Sequence, residues 1–167
     1  MAQDIEYNVI IEQGRSKEND AIIKYLVPKC VGKVLDIGAN AGYLISKLPD
    51  AIGVDNSPIV VNKAKELGRN VILIKDKLPF EDKTFDTVVL SCVLEQCDDW
   101  EKVLIEALRV CKEKVIGINP IPEKSPWGFV GGWVKSVIKP DYLKSFYGAT
   151  IQYPDIAGKY YFEIFAQ

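Results

Sequence analysis

The chain has 167 residues, a formal net charge of −2, four cysteines and no histidine. This length fits one domain that can bury its own core without a disulfide or metal staple. The missing histidine excludes a Ser-His-Asp triad, a Cys-His dyad, an imidazole base and a histidine-ligated metal. The near-neutral charge gives no support to nonspecific nucleic-acid binding, and a chain 48% hydrophobic and 26% charged is not disordered.

In chain order, residues 1–15 are a mixed leader. Its first eleven residues carry Asp4 and Glu6 and lack a basic-then-apolar signal pattern. Ser16 caps an expected helix to about Leu26, with Ile22, Ile23 and Leu26 on its apolar side and Pro28 after the stop. Lys33–Ile37 reads as a short strand ending in glycine, and Gly42–Leu48 as a helix stopped by Pro49. Ala51–Val54 is a second strand, closed by Asp55. Ser57 and Pro58 form an N-cap and N1 pair for a helix ending at Gly68, with Val60, Val61, Ala64 and Leu67 on one face.

Val71–Ile74 and Thr87–Leu90 are apolar throughout and read as buried strands. Asp98 or Asp99 caps a helix to about Cys111, with Trp100, Val103, Leu104, Ala107 and Leu108 at i, i+3, i+4, i+7, i+8 spacing. Val115–Ile118 is a fifth strand. Residues 149–152 and 159–166 read as two more, joined by a turn with Pro154, Asp155 and Gly158. Continuous apolar strands alternating with amphipathic helices predict a doubly wound, mostly parallel seven-stranded α/β sheet, Rossmann-like and covered on both faces. The last strand is bulky on both faces, so it is expected inside the sheet, antiparallel beside the fifth.

The cysteines at 30, 92, 97 and 111 form no CxxC pair, so buried free thiols and no metal site are expected. No apolar run approaches the ~20 residues of a membrane span. The expected location is cytoplasmic.

In open α/β sheets, ligands bind outside the carboxyl ends of the strands, where strand order reverses. Here the first strand enters Asp36-Ile37-Gly38-Ala39-Asn40-Ala41-Gly42. The dinucleotide fingerprint Gly-x-Gly-x-x-Gly fails, because Asn40 and Tyr43 stand at its second and third glycines. Asp36 beside the loop would repel a pyrophosphate and suits a cationic ligand. S-adenosylmethionine, with a sulfonium, an ammonium and no phosphate, is such a ligand. Asp55 can accept hydrogen bonds from the vicinal hydroxyls of a ribose. It can also serve as a helix-start carboxylate beside Ser57; the glycine loop upstream favours the ribose.

VLDIGANAGYL (34–44), AIGVDNSP (51–58) and KDKLPFEDKTFDTVVLSCVLEQCDDWEKVLIEALRVCKEK (75–114) resemble successive motifs of class I S-adenosylmethionine-dependent methyltransferases. The likeness is to the type 11 group, which includes ubiquinone and menaquinone C-methyltransferases, over about residues 33–118. The resemblance implies that Asp36 holds the methionine moiety, while Gly38, Ala39, Asn40 and Gly42 form the loop. It places Asp55 on the ribose, Asn56 beside the adenine and Asp76 on the adenine amino group. Lys77 and Leu78 would supply a backbone N–H and an apolar wall, and a carbonyl near Ser91 and Cys92 would meet the methionine ammonium. Asn40 departs from the family's middle glycine, but asparagine tolerates a left-handed backbone. Leu78 and Phe80 also read as core, Arg109 as structural and Asp98 and Asp99 as caps.

Methyl transfer from a sulfonium needs mainly alignment and exclusion of water, with a base only where the nucleophile carries a proton it cannot lose to solvent. Without histidine, Glu95 is the candidate base; the alternative is a solvent-facing loop carboxylate. Tyr7, Arg15, Trp127, Phe129 and Trp133 are candidate acceptor contacts. Around the last three, residues 119–139 form either an aromatic lid or a core helix packing Trp133 and Val137 on the sheet. The expected organisation is one methyltransferase domain: leader and first helix 1–32, cofactor core 33–118, lid 119–139 and C-terminal hairpin 140–167. The expected acceptor is a small molecule, and self-association into a homo-oligomer is kept open. A non-catalytic scaffold with the same fold is the alternative, and a nicotinamide-dependent reductase ranks behind it.

Overall fold

The protein is described by a computed structural model over residues 16–75, 77–121, 124 and 134–166. Strand β1 (Val34–Ile37) is buried at all four positions, as a strand sandwiched between two layers must be. It pairs in parallel with β2 (Ile52–Asp55) on one side and β4 (Phe85–Ser91) on the other. β3 (Val71–Leu73) continues the sheet beyond β2, and β5 (Cys111–Pro120) lies parallel beyond β4. β7 (Lys159–Phe165) inserts antiparallel between β5 and β6 (Thr150–Gln152). The order is β3-β2-β1-β4-β5-β7-β6, the seven-stranded, mostly parallel Rossmann-like sheet that the sequence predicts.

Each face of the sheet carries its own core. α1 (Ser16–Leu26) and α2 (Pro58–Glu66) cover one, where Ile22, Leu26, Val61 and Ala64 meet Val34, Val89, Ile116 and Tyr161. On the other face, α3 (Trp100–Val110) and α4 (Pro140–Tyr147) bury Leu104, Ala107 and Leu143 against Leu35, Val88, Leu90, Tyr160 and Phe162. The bulk of β7 is thus used on both sides, as its sequence requires. β3, by contrast, is an edge strand, and Ile72 and Leu73 are exposed.

Two expected local features differ. Gly42–Leu48 forms turns and a short 3₁₀ segment, Ile45–Lys47. The segment starts on a left-handed Gly42 (φ 73°), and Pro49 holds Leu48 extended (φ −126°, ψ 124°), which leaves too few residues to propagate a helix. Ser57 occupies the N-cap of α2 but its hydroxyl makes no cap bond; its N–H donates to Asp55 Oδ1 instead (2.9 Å). Asp99 does cap α3, accepting from the Lys102 N–H (3.1 Å). The four cysteines are free thiols, but only Cys111 is buried; Cys30, Cys92 and Cys97 are half-buried.

Gly117 sets the closest approach in the sheet. A Cβ there would stand 2.4 Å from the Phe162 ring and 2.5 Å from the Leu90 carbonyl oxygen. Gly117→Ala is therefore expected to cost about 3 kcal/mol, the upper end for overpacking, because a backbone atom cannot move aside. Thermal unfolding should report a drop of roughly 6–12 °C; an unchanged melting temperature would show that the sheet yields there.

Candidate active site

The strand order reverses between β1 and β4, and the loop after β1 sits at that point. Gly38 (φ 72°) makes the turn. A Cβ on it would lie 2.5 Å from the Val93 side chain, so a larger residue meets both strain and a clash. The N–H groups of Gly38 and Ala39 both donate to the Val54 carbonyl (2.9 and 3.0 Å). Asn40 takes the left-handed conformation expected of it (φ 51°), and its Oδ1 turns back to accept from the Ala41 N–H (2.6 Å). Arg69 braces the loop from outside, donating to the Ala41 carbonyl (2.7 Å) with its guanidinium over the Tyr43 ring. Gly42 is buried within the same turn.

Asp55 fastens the end of β2 to this loop. Its Oδ2 accepts from the Asn40 N–H (2.9 Å) while Oδ1 accepts from Ser57. It therefore starts the helix, and each oxygen retains a lone pair for a hydroxyl donor. Asp36 is 3% exposed. Burial, together with the neighbouring Asp55 charge, pushes its carboxyl up to about 8. Among the described residues, neither carboxylate joins an ion pair. Two acids with no cation between them form a place for a positively charged ligand.

Asn56 and Lys77 are exposed, Leu78 is buried in the core and Ser91 is half-buried at the end of β4. Cys92 is left-handed (φ 55°); its N–H donates to the Ile118 carbonyl (2.7 Å), and its carbonyl accepts from Gln96 Nε2 (2.5 Å). Arg109 holds residues 78–82 against α3, as a structural residue should. It donates to Glu106 and Asp82 (2.8 Å each) and to the carbonyls of Phe80 (2.9 Å) and Leu78 (3.3 Å). The Leu78 N–H points to Glu106 Oε2 at 3.4 Å. Tyr7, Arg15, Asp76, Trp127, Phe129 and Trp133 lie outside the described residues.

Glu95 is not a solvent-facing carboxylate. It is 6% exposed on the turn after β4, and its carbonyl accepts from the N–H groups of Lys135 (2.8 Å) and Ser136 (3.1 Å). Residues 134–139 carry no helix and Val137 is exposed, so the described end of this segment is a non-helical strap and does not form the core helix that is one of its two readings. The sequence reading missed Gln96, Arg69 and a buried pair, Asn119 and Tyr160 (3.0 Å). A lone asparagine closing the apolar run Val115–Ile118 was the available signal for that pair.

The type 11 "Methyltransferase domain" family matches residues 35–118. An uncharacterized protein of Methanocaldococcus jannaschii is 36% identical over 100 residues, 58% of this chain and 48% of that protein; the chain spans about half the length of this curated relative. A SAM-dependent methyltransferase from Archaeoglobus fulgidus superimposes with a TM-score of 0.77 at 18% identity, covering 95% of this chain and 99% of the other. The Haloferax volcanii chain that complexes with the Trm112 methyltransferase activator gives 0.71 at 16% identity, covering 96% and 97%. These two likenesses carry the fold. No helix among the described residues is long and apolar enough to cross a membrane.

The buried acid generates a pH signature. The native pKa of Asp36 is raised, so between about pH 4 and about pH 8 the unfolded chain binds fewer protons and stability falls as pH rises. Asp36→Asn removes that loss. Its melting-temperature advantage over the parent should grow across this interval and level off above it, by roughly 2–4 °C for each kcal/mol. A difference independent of pH would contradict the assignment.

Proposed function

This chain belongs to the methyltransferase-domain family, and from that premise we propose that it binds S-adenosylmethionine and moves its methyl group to a small-molecule acceptor. The observation that carries the reading is the pair Asp36 and Asp55, set at the carboxyl ends of β1 and β2 without a cationic partner among the described residues. Their chemistry fits this cofactor. A buried acid beside a second negative charge is satisfied by an ammonium, and the free lone pairs of Asp55 are satisfied by ribose hydroxyls. A phosphate-bearing cofactor would meet the Asp55 carboxylate and a buried acid beside it, with no cation among the described residues to offset its charge.

When bound, the cofactor supplies a methyl group on a positively charged sulfur, which leaves as a neutral thioether. The chain's own residues bind, orient and exclude water. Asp36 holds the ammonium end and Asp55 the ribose, while Gly38, Ala39, Asn40 and Gly42 give the loop its close turn. Asn56, Asp76 and Lys77 line the adenine side, with Leu78 as apolar wall. Ser91 and Cys92 bring the end of β4 toward the methionine end. Alignment of this kind can supply up to ~7–11 kcal/mol of barrier lowering. Glu95 accepts the proton of a nucleophile that arrives protonated. Tyr7, Arg15, Trp127, Phe129 and Trp133 are the acceptor contacts of this proposal.

S-adenosylhomocysteine should raise the melting temperature of the chain, and Asp55→Ala should weaken its binding at least ~10-fold, the loss expected when hydrogen bonds to a charged group disappear. No binding at millimolar ligand would overturn the proposal. Binding without methyl transfer to any acceptor in a labelled-cofactor screen would favour the non-catalytic scaffold.

A further inference from the structure

Cys92, the first residue after β4, has a left-handed backbone (φ 55°). A residue with a Cβ pays for that conformation, and it persists only where surrounding bonds enforce it. Two bonds flank it here, one on each side. Its N–H donates to the Ile118 carbonyl (2.7 Å) on β5, and its carbonyl accepts from Gln96 Nε2 (2.5 Å). A carbonyl only accepts, so the Gln96 amide must present its nitrogen there. Gln96 is itself seated by the short turn Leu94–Gln96, in which its own N–H donates to the Val93 carbonyl (2.9 Å). One residue thus grips both carbonyls that follow the end of β4.

What this grip holds is a contact with the loop after β1. β1 and β4 run parallel with Ile37 opposite Leu90, so residues 91–93 leave the sheet beside Gly38. Val93 packs there: a Cβ on Gly38 would lie 2.5 Å from Val93 Cγ2. Gly38 stands two residues beyond Asp36, the buried acid of the methionine end. The Cys92 carbonyl belongs to the peptide unit that leads into Val93. Rotation of that unit would shift Val93 on Gly38, and the Gln96 bond opposes the rotation. The ribose side is fastened by different bonds, those from the Asn40 and Ser57 N–H groups to Asp55 (2.9 Å each). Gln96 therefore bears on one half of the site.

We propose that Gln96 is a positioning residue for the methionine end of the cofactor. It acts through Cys92 and Val93, keeping Val93 seated on Gly38 so that the loop beside Asp36 holds its shape. This deepens the methyltransferase reading and rests on it.

Two ligands separate this role from a general structural one. S-adenosylhomocysteine carries the amino-acid end; 5′-methylthioadenosine keeps the adenine, ribose and sulfur and lacks that end. Calorimetric titration of the full chain with each should show that Gln96→Met, similar in length but without a donor, weakens S-adenosylhomocysteine about tenfold and leaves 5′-methylthioadenosine unchanged. Gln96→Leu, of different shape, should show the same selectivity, which separates loss of the donor from a packing fault of one side chain. Undiminished S-adenosylhomocysteine binding by both variants, or equal weakening of the two ligands in both, would overturn the positioning role and leave the methyltransferase reading standing. A parent chain that binds neither ligand refutes the methyltransferase reading and the positioning role together.

Discussion

A carboxyl group buried at the end of a parallel strand costs free energy whenever it ionises, and a second carboxylate nearby raises that cost. Asp36 and Asp55 impose this condition on adjacent strands. The surrounding structure is arranged to hold it. Val54 accepts two loop N–H groups, Asp55 accepts a third, and Arg69 clamps the loop from outside. The sheet supplies the rigid ends from which the loop hangs, and the two cores fix the sheet. Local destabilisation kept at one place and offset elsewhere is common where a ligand completes a site.

The same constraint chooses the sign of the ligand. A glycine-rich turn after the first strand of a doubly wound sheet is compatible with many cofactors. Two acids beside it turn the site from phosphate toward cation. On the far side of β4 the polar groups follow a related logic. Glu95, Asn119 and Tyr160 are buried under a strap whose N–H groups bond to the Glu95 carbonyl. Arg109 works at a distance from both, tying residues 78–82 to α3.

Much of this was readable in the sequence, for identifiable reasons. The parallel strands announced themselves as continuous apolar runs, and Tyr160–Ile164 as a strand with bulk on both faces. Asp36, Gly38 and Asp55 stood out because charge and glycine at strand ends have few other uses. The misreadings arose where tertiary bonds overrode local preference. Gly42–Leu48 has an apolar face but is pinned by the loop at one end and by Pro49 at the other. Ser57 is a good cap by type, yet Asp55 reaches its N–H first. Glu95 could be placed on the turn after β4, but its burial depends on residues 135–136, about forty positions later. Asn119 and Tyr160 meet only through antiparallel pairing of β5 with β7, which periodicity alone does not reveal.

The central claim is that Asp36 stays protonated until a cation arrives. Calorimetric titration with S-adenosylmethionine at pH 7, in two buffers of different ionisation enthalpy, counts the protons exchanged on binding. With a carboxyl at about 8 in the empty site, binding should release about one proton, and Asp36→Asn should release almost none. Binding of the parent chain with no proton released would contradict the account.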